Sequence, residues 1–244
     1  MKKTITLCLV LLSSSLAQVP DGEEILRLVD ANLTSINRIV TSKMVIHGRR
    51  GTRTIESRSW TTGEEKSFTE YTAPAREKGV KMLKLGDRLW IYSPSTDRII
   101  EIAGHMLRQS VMGSDLSYED MMEDPKLLHH YDARVTGIEP LGGRSCWALE
   151  LTAKDNGAAY HSRRLWVDAD RHVPLKQELY AKGGKLLKRL EMSDVAKIDG
   201  RWYPRRFLFK DALKEGEGTE FLVRTIAFDQ AIPDYLFSKA ALRK

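Results

Sequence analysis

Beyond residue 36, most of this chain alternates apolar with polar side chains, and tight-turn sequences separate the alternating segments. The turn sequences are Gly86-Asp87, Gly142-Gly143, Gly183-Gly184 and Asp199-Gly200. Gly and Asp-Gly pairs supply the positive φ angles that two-residue hairpins require. Segments such as "GVKMLKLGDRLWIYSP" and "VPLKQELYAKGGKLLKRLEM" therefore predict hairpins. The whole pattern predicts roughly ten strands, joined mostly as neighbours in a large antiparallel meander.

The alternation gives the predicted sheet one largely apolar face, because successive side chains of a strand point to opposite sides. Pairs of large apolar residues two or four positions apart define this face: Leu89, Ile91, Leu165, Val167, Leu175, Leu179, Phe207 and Phe209. Charged neighbours such as Lys176, Glu178 and Lys210 fall on the opposite side. The apolar residues of these pairs are the candidate ligand-binding residues of the chain.

Few helices are available to cover that face. "DGEEILRLVDANLTSI", residues 21–36, predicts a helix that Asp21 caps and whose apolar residues recur at helical spacing. Short helical pieces between Met106 and Leu128 and a C-terminal turn near Tyr235 to Ser238 are the remaining candidates. A strongly curved sheet with a helical cover satisfies these constraints, and such a fold can leave an apolar cavity between its layers. Sequence leaves open whether side chains fill that space.

One acidic stretch, "VMGSDLSYEDMMED" at residues 111–124, stands out in a chain with 39 basic and 33 acidic residues. It raises three alternatives: a metal site, paired catalytic carboxylates or a structural device. Ser117 followed by Asp120 has the form of a capping box, and Asp124 before Pro125 suits a further helix start. The spacing is not that of a calcium-binding EF-hand loop. We therefore predict that Ser117 caps a helix and that no metal binds.

Motifs of catalysis are absent from the sequence. It contains no G-x-S-x-G, H-E-x-x-H, Walker loop or C-x-x-C. His129 and His130 are adjacent, and neighbouring side chains on a strand point apart, so they do not make a metal pair there. Cys146 lies in a strand-like run and reads as a buried apolar residue. The sequence predicts no enzyme, no catalytic residues, no cofactor and no metal.

The first residues have the form of a secretory signal peptide. Lys2 and Lys3 precede an apolar run, and Ser15-Leu16-Ala17 is a small-x-small cleavage sequence. We expect residues 1–17 to be removed and residues 18–244 to form a single domain in the periplasm, soluble after cleavage. Cleavage takes two lysines from the formal net charge of +6, and the remaining basic excess is spread along the chain. That excess suits a solvated face or anionic lipid headgroups rather than nucleic acid.

Four stretches resemble a known family. They are "MGSDLSYED" at residues 112–120, "LWVDADRHVPLKQELYAKGGKLLKRLEMSDV" at 165–195, "GRWYPRRFLFKD" at 200–211 and "AFDQAIPDYLFS" at 227–238. Together they are similar to the outer-membrane lipoprotein-sorting proteins of the LolA/LolB-like superfamily, over nearly all of the chain after the signal peptide. The resemblance implies a mainly β fold: a half-open, curved antiparallel β-barrel covered by a few α-helices, with an apolar cavity. No lipid-attachment motif is evident, so the chain resembles the soluble carriers of the superfamily.

The resemblance also implies a function. It predicts a periplasmic carrier that binds the acyl chains of lipoproteins or lipids and moves them toward the outer membrane, with an inner-membrane exporter and an outer-membrane acceptor as partners. The alternative is a non-enzymatic accessory module of an inner-membrane exporter whose cavity its own side chains fill. An enzyme on the same fold is the third hypothesis. A lid-locking arginine is expected in such carriers, and no local motif assigns one here.

Overall fold

The structure is a computed structural model, and it describes residues 20–48, 51–155 and 157–244. The expected signal peptide, residues 1–17, lies outside the described residues. The helices are α1 (Gly22–Leu33), α2 (Tyr118–Met122) and α3 (Leu127–His130). The strands are β1 (Asn37–Gly48), β2 (Gly51–Thr62), β3 (Lys66–Ala73), β4 (Lys81–Leu85), β5 (Arg88–Ser93), β6 (Arg98–Ile102), β7 (Tyr131–Leu141), β8 (Arg144–Ala153), β9 (Ser162–Asp168), β10 (Pro174–Tyr180), β11 (Leu186–Ile198), β12 (Arg201–Asp211) and β13 (Gly218–Phe228). In the described part of the chain, no helix combines the length and the apolar character that a membrane crossing requires.

All the described strands form one antiparallel sheet of 13 strands in the order β6-β5-β4-β3-β2-β1-β13-β12-β11-β10-β9-β8-β7. The sheet is curved and its two edges, β6 and β7, do not pair with each other. Two meanders, β1 to β6 and β7 to β13, therefore meet where β1 pairs with β13. The predicted antiparallel fold is confirmed, and the sheet has 13 strands where roughly ten were predicted.

Three of the predicted turns join adjacent strands by two residues. Leu85 pairs with Arg88, Leu141 with Arg144 and Ile198 with Arg201, across the expected glycine-containing dipeptides. At the last of these, Asp199 has φ 47° and Gly200 has φ 83°, as the mirror-image hairpin turns require. The fourth differs, because residues 181–185 form a longer loop closed by the amide of Ala181 and the carbonyl of Lys185 at 2.9 Å.

Helix α1 packs on one side of the sheet, which we call the inner face. Asp21 caps it by accepting a hydrogen bond from the amide of Glu23 at 3.3 Å. Ile25, Leu26 and Val29 are buried against strands β7 to β9, and each such side chain contributes about 1.5–3 kcal/mol on burial. The helix ends at Leu33 rather than at the predicted residue 36, because Thr34 leaves the helical conformation.

The opposite, outer face has its own apolar cover. The C-terminal segment forms two 3₁₀ turns, Asp234–Phe237 and Lys239–Arg243, whose Ala241 and Leu242 are buried with Phe68 and Trp90. This corrects the expectation that the C-terminal turn covers the same face as α1. The alternation explains the difference, because Trp90 points away from its neighbour Leu89, which is on the inner face.

One predicted inner-face residue, Leu175, also lies on the outer face. Pro174 pairs with Val167 and Lys176 pairs with Trp166, so Leu175 is the extra residue of a β-bulge. It packs with Trp166 and with Cys146, which is buried as predicted. The bulge breaks the alternation along β10, and consequently Leu175 and Leu179 do not share a face.

Candidate functional site

Residues 103–130 form a segment that crosses the inner face, and we call it the cover segment. It connects β6 to β7, which are the two edges of the sheet, so its path must span the width of the open curve. It consists of two 3₁₀ turns followed by α2 and α3. Its Met106, Leu107 and Met122 pack on the inner-face cluster that contains Leu89, with Ile91 beside it.

Side chains, rather than strand pairing, hold the cover segment on the sheet. Among the described residues, every hydrogen bond between residues 104–129 and the sheet uses a side chain on at least one side. The single bridge in the segment, between Ser110 and Ser117, is internal to it. The cover segment is therefore outside the hydrogen-bonded ladder of the sheet, and it can separate from the sheet without breaking that ladder.

The acidic stretch of the sequence lies in this segment, and its first acids act as structural groups. Ser117 Oγ accepts from the amide of Asp120 at 3.2 Å, and Asp120 Oδ2 accepts from the amide of Ser117 at 2.6 Å. The predicted capping box is thereby confirmed. Asp115 is buried and accepts from Thr219 Oγ1 at 2.8 Å and from the amide of Asp211 at 3.0 Å. Asp115 ties the middle of the cover segment to β12 and β13.

Asp120 also forms an ion pair with Lys188 of β11 and accepts a hydrogen bond from the Tyr160 hydroxyl. Burial alone would raise the pKa of Asp120, but Lys188 and the hydrogen bonds outweigh it and hold this pKa below its ordinary value. The pKa of the Tyr160 hydroxyl is raised by burial and by the Asp120 charge. At neutral pH Asp120 is therefore an ionised carboxylate, and it is held by the ammonium of Lys188 and the phenol of Tyr160.

Glu123 forms an ion pair with Arg163, a buried arginine on the inner face of β9. The guanidinium lies over the rings of Tyr131 and Tyr160, with its central carbon 4.7 and 5.4 Å from the ring centroids. Burial lowers the pKa of Arg163 to about 9, which leaves the group charged at neutral pH. Arg163 therefore connects the cover segment to the sheet, and the sequence offered no signal for this contact beyond the alternation of Arg163 with Leu165.

A second buried cation holds α2 from the other half of the sheet. Lys84 of β4 donates to the carbonyl oxygens of Glu64 and Met122, both at 2.9 Å. Burial lowers the pKa of Lys84, while nearby carboxylates oppose that effect. Lys84 and Arg163 come from β4 and β9, so the contacts of α2 reach both meanders.

Helix α3 is capped from α1, a contact that sequence reasoning missed. Asp30 accepts hydrogen bonds from the amides of Leu127 and Leu128 at 3.3 and 3.4 Å. Burial raises the pKa of Asp30 to about 6, although these two amides act in the opposite direction. Asp124 is not the N-cap of α3 that was expected, because the helix starts after Lys126. Asp124 Oδ1 instead accepts from the amide of Lys126 at 2.8 Å and so shapes the turn before the helix.

His129 and His130 both approach Asp124, at 2.9 and 3.4 Å. This corrects the inference that adjacent histidines point apart, because they lie in α3 and not in a strand. One nitrogen of His129 and carboxylate oxygens of Glu64 and Asp124 lie within 4.8 Å of one another. Lys126 forms an ion pair with Glu64 in the same cluster, and its ammonium opposes a bound cation. The absence of a metal stays a prediction.

Two pockets lie between the cover segment and the inner face. One has a volume of about 260 Å³ and an apolar floor formed by Leu179, Leu190, Met192, Phe207 and Phe209. The other has about 290 Å³ and is lined by hydroxyl side chains such as Ser59 and Thr69. Both pockets share Arg38, Asp120 and Glu123 in their walls. They are thus adjacent spaces that meet beneath α2.

The structure divides the predicted ligand-binding residues into four groups. Leu179, Phe207 and Phe209 line the first pocket. Leu165 and Val167 are fully buried against α1, and Leu89 and Ile91 pack under the cover segment. Leu175 faces the other way. A role in binding remains a prediction for all of these residues, and the pocket geometry favours the first group.

Comparison with known proteins adds three similar structures and one family. A family described only as "Uncharacterized protein" matches residues 63–244. A domain assigned as an outer membrane lipoprotein-sorting protein from Vibrio parahaemolyticus is 23% identical, with a TM-score of 0.80, and the match covers 91% of this chain and 98% of that one. A DUF1329 family protein from Desulfovibrio piger is 26% identical, with a TM-score of 0.82 and coverage of 91% and 97%.

The third structure is a LolA superfamily protein from Nitrosomonas europaea, which is 25% identical, with a TM-score of 0.74 and coverage of 91% of this chain and 100% of that one. No functionally curated protein matches the sequence. The three structures extend over almost the whole of the described sheet and its cover.

Proposed function

This chain belongs to the family described as uncharacterized proteins and has the LolA-like fold, and from that premise we propose that it is a periplasmic carrier of acyl chains. It binds the chains of lipoproteins or lipids between the inner face of the sheet and the cover segment, and moves them toward the outer membrane. One relative is assigned to outer membrane lipoprotein sorting and another to the LolA superfamily. We propose binding and transfer as its activity, without catalysis.

The observation that carries this proposal is the apolar pocket floor beneath a cover held by side chains alone. Leu179, Phe207 and Phe209 turn their apolar surfaces toward the pocket, and Phe207 and Phe209 stack with their ring centroids 6.4 Å apart. Among the described residues, residues 104–129 of the cover segment make no backbone–backbone hydrogen bond with the sheet, and the His130 carbonyl accepts from the Lys154 amide just beyond β8. An acyl chain entering the pocket therefore displaces side-chain contacts and leaves the sheet intact.

The energetics explain why such a carrier transfers its cargo by contact. Each methylene moved from water to an apolar site gains about 0.8 kcal/mol, so a chain of about fifteen methylenes gains on the order of 12 kcal/mol. Release through water at that cost is far too slow to be useful. We infer that the cover segment separates from the sheet against a membrane partner, either an inner-membrane exporter or an outer-membrane acceptor.

A second function, an accessory module of an inner-membrane exporter, is favoured by the filled space under the first half of the cover segment. There Met106, Leu107 and Met112 already pack on the sheet cluster around Leu89. Methionine is flexible and fills irregular gaps, so it also suits a site that empties and refills. Ligand binding separates the two functions, because a filled interior has no room for a chain.

The test compares two leucines of the same strand. Leu179 lines the pocket, whereas Leu175 lies on the outer face at the bulge. We expect the neutral fluorescent probe N-phenyl-1-naphthylamine to bind the purified protein at micromolar concentration. Leu179→Asn should weaken that binding by about tenfold or more, since a polar group replaces an apolar wall. Leu175→Asn is the matched control and should leave the affinity unchanged.

Equal losses in both variants would place the probe elsewhere and count against the site. Failure of the wild-type protein to bind the probe at all would reject the carrier function and favour the accessory module. Circular dichroism and thermal melting of each variant separate a lost site from a lost fold.

A further inference from the structure

A buried arginine and a partly buried lysine face the apolar pocket from strands on either side of β10. Arg163 of β9 and Lys188 of β11 both line it, and their side chains are 4% and 13% exposed. Their charged ends lie over the same ring, since the Arg163 guanidinium carbon is 5.4 Å and Lys188 Nζ is 6.0 Å from the Tyr160 centroid. The pocket thus has an apolar floor, and Arg163 and Lys188 form part of its wall.

The carboxylates that neutralise these cations come from the cover segment and not from the sheet. Within the described residues, the ion-pair partner of Arg163 is Glu123 and that of Lys188 is Asp120. The sheet contributes only a weak acceptor, Gln177 Oε1, at 3.4 Å from the guanidinium. Arg163 Nε is buried and has no hydrogen-bond partner among the described residues. The arginine therefore has donor capacity that the closed structure does not use.

Separation of the cover segment from the sheet removes Asp120 and Glu123 together, because both belong to α2 and the residue that follows it. It leaves two cations in a poorly hydrated site without counter-charge, which is unfavourable. A ligand that brings its own anion restores the balance. Among lipid headgroups, a phosphate offers several acceptor oxygens, and the planar guanidinium pairs with it in a bidentate manner while the ammonium adds a point charge.

We propose that Arg163 and Lys188 form a phosphate-binding site for an anionic lipid, whose chain lies along Leu179, Phe207 and Phe209. Asp120 and Glu123 occupy the phosphate position when the cover segment is closed. This inference rests on the proposed carrier function and adds the class of its ligand, a lipid with a phosphorylated headgroup.

The test measures displacement of N-phenyl-1-naphthylamine by two ligands with the same chain, decyl phosphate and decanol. The readout is the ratio of their dissociation constants within one protein, which cancels general changes in pocket or cover stability. We expect decyl phosphate to bind the wild-type protein about tenfold tighter than decanol, as for one or two charge-assisted hydrogen bonds. Lys188→Gln should lower the ratio by a factor of about three or more, because Arg163 alone then holds the phosphate. Asp120→Asn should raise it, because the competing carboxylate is gone.

Lys197→Gln is the matched control, since Lys197 is an exposed lysine on the same strand, outside the pocket. It should leave the ratio at the wild-type value.

A ratio near one in the wild-type protein, or a ratio that Lys188→Gln does not lower, overturns the phosphate site while carrier function stands. If neither ligand displaces the probe, both proposals fail. A last measurement adds inorganic phosphate to the protein at the concentration used for decyl phosphate. If it competes with decyl phosphate as strongly as decyl phosphate competes with the probe, the site is one for free phosphate and the lipid assignment is overturned.

Discussion

Ser117 and Asp30 show how single polar groups fix the cover segment. Ser117 starts α2 through a reciprocal pair of hydrogen bonds with Asp120, and Asp30 starts α3 from outside the segment. Both helices are short, 5 and 4 residues, so their own hydrogen bonds contribute little and their caps matter more. Substitution of Ser117 and substitution of Asp30 should therefore have different effects on stability.

We predict that Ser117→Ala lowers the free energy of unfolding by about 1 kcal/mol, because the amide of Asp120 loses its acceptor. Chemical denaturation measures the change. Ser95→Ala is the control, since Ser95 lies in the exposed turn between β5 and β6, and we expect a change within about 0.5 kcal/mol there. An equal, small effect of both substitutions would mean that the capping box adds nothing to stability.

The second prediction concerns pH. The pKa of Asp30 in the folded protein, about 6, lies above its ordinary value, so the folded state binds the proton more tightly than the unfolded state. This group therefore stabilises the fold most at low pH, and that stability declines as pH rises through the folded-state pKa. Asp30→Asn lacks the titration. The stability of the variant relative to wild type should rise from about pH 4 to about pH 7, as measured by denaturation at each pH. A pH-independent difference would contradict the assignment.

At the scale of elements, the cover segment and the sheet differ in how they are held. The strands share a continuous ladder, whereas the cover segment depends on a few cations and carboxylates. Local opening is easier for a unit of this kind than for a central strand. Only some acids of this region bind the sheet. Asp120 and Glu123 form ion pairs with sheet residues, whereas Glu119 has no ion pair in the described part of the chain.

We predict that amides of residues 104–130 exchange with deuterium faster than those of the central strands β1 and β13. Asp120→Asn or Glu123→Gln should speed that exchange by about tenfold or more, since each removes a charge-assisted bond of about 1.5–3 kcal/mol. Glu119→Gln serves as the comparison on the same helix and should change little. Exchange that is uniform across cover and sheet would show that the two open as one unit.

How far the sequence predicts these elements depends on the range of the interactions. Strand alternation and turn glycines are local, so the antiparallel sheet, the hairpin at Asp199 and the cap at Ser117 follow from the sequence. The bulge at Leu175 has no local signal, because the preceding proline and following lysine fit either register. Arg163 and Asp30 act across the chain, on partners 40 and 97 residues away. Such contacts depend on the tertiary fold, so no residue spacing in the sequence predicts them.

At the scale of the whole molecule, the arrangement of the two meanders places the cover. Because β6 and β7 are the edges of one curved sheet, the chain between them joins the two edges, and it does so across the inner face. The C-terminal turns cover the outer face at β3 to β5, whereas the apolar pocket floor of Leu179, Phe207 and Phe209 lies on the inner face beneath the cover segment. The account's central claim is therefore a location: cargo lies between the inner face and the cover segment.

Photo-crosslinking tests that location most directly. A fatty alcohol that carries a diazirine on its chain is bound to the wild-type protein, activated by light, and its attachment sites are mapped by tandem mass spectrometry. The account predicts labelled residues on β10, β11 and β12 around Leu179, Leu190 and Phe207, together with the cover segment, and their loss when excess decanol competes. Labels confined to the outer face around Trp90 or Trp166, or labels that decanol does not reduce, would contradict it.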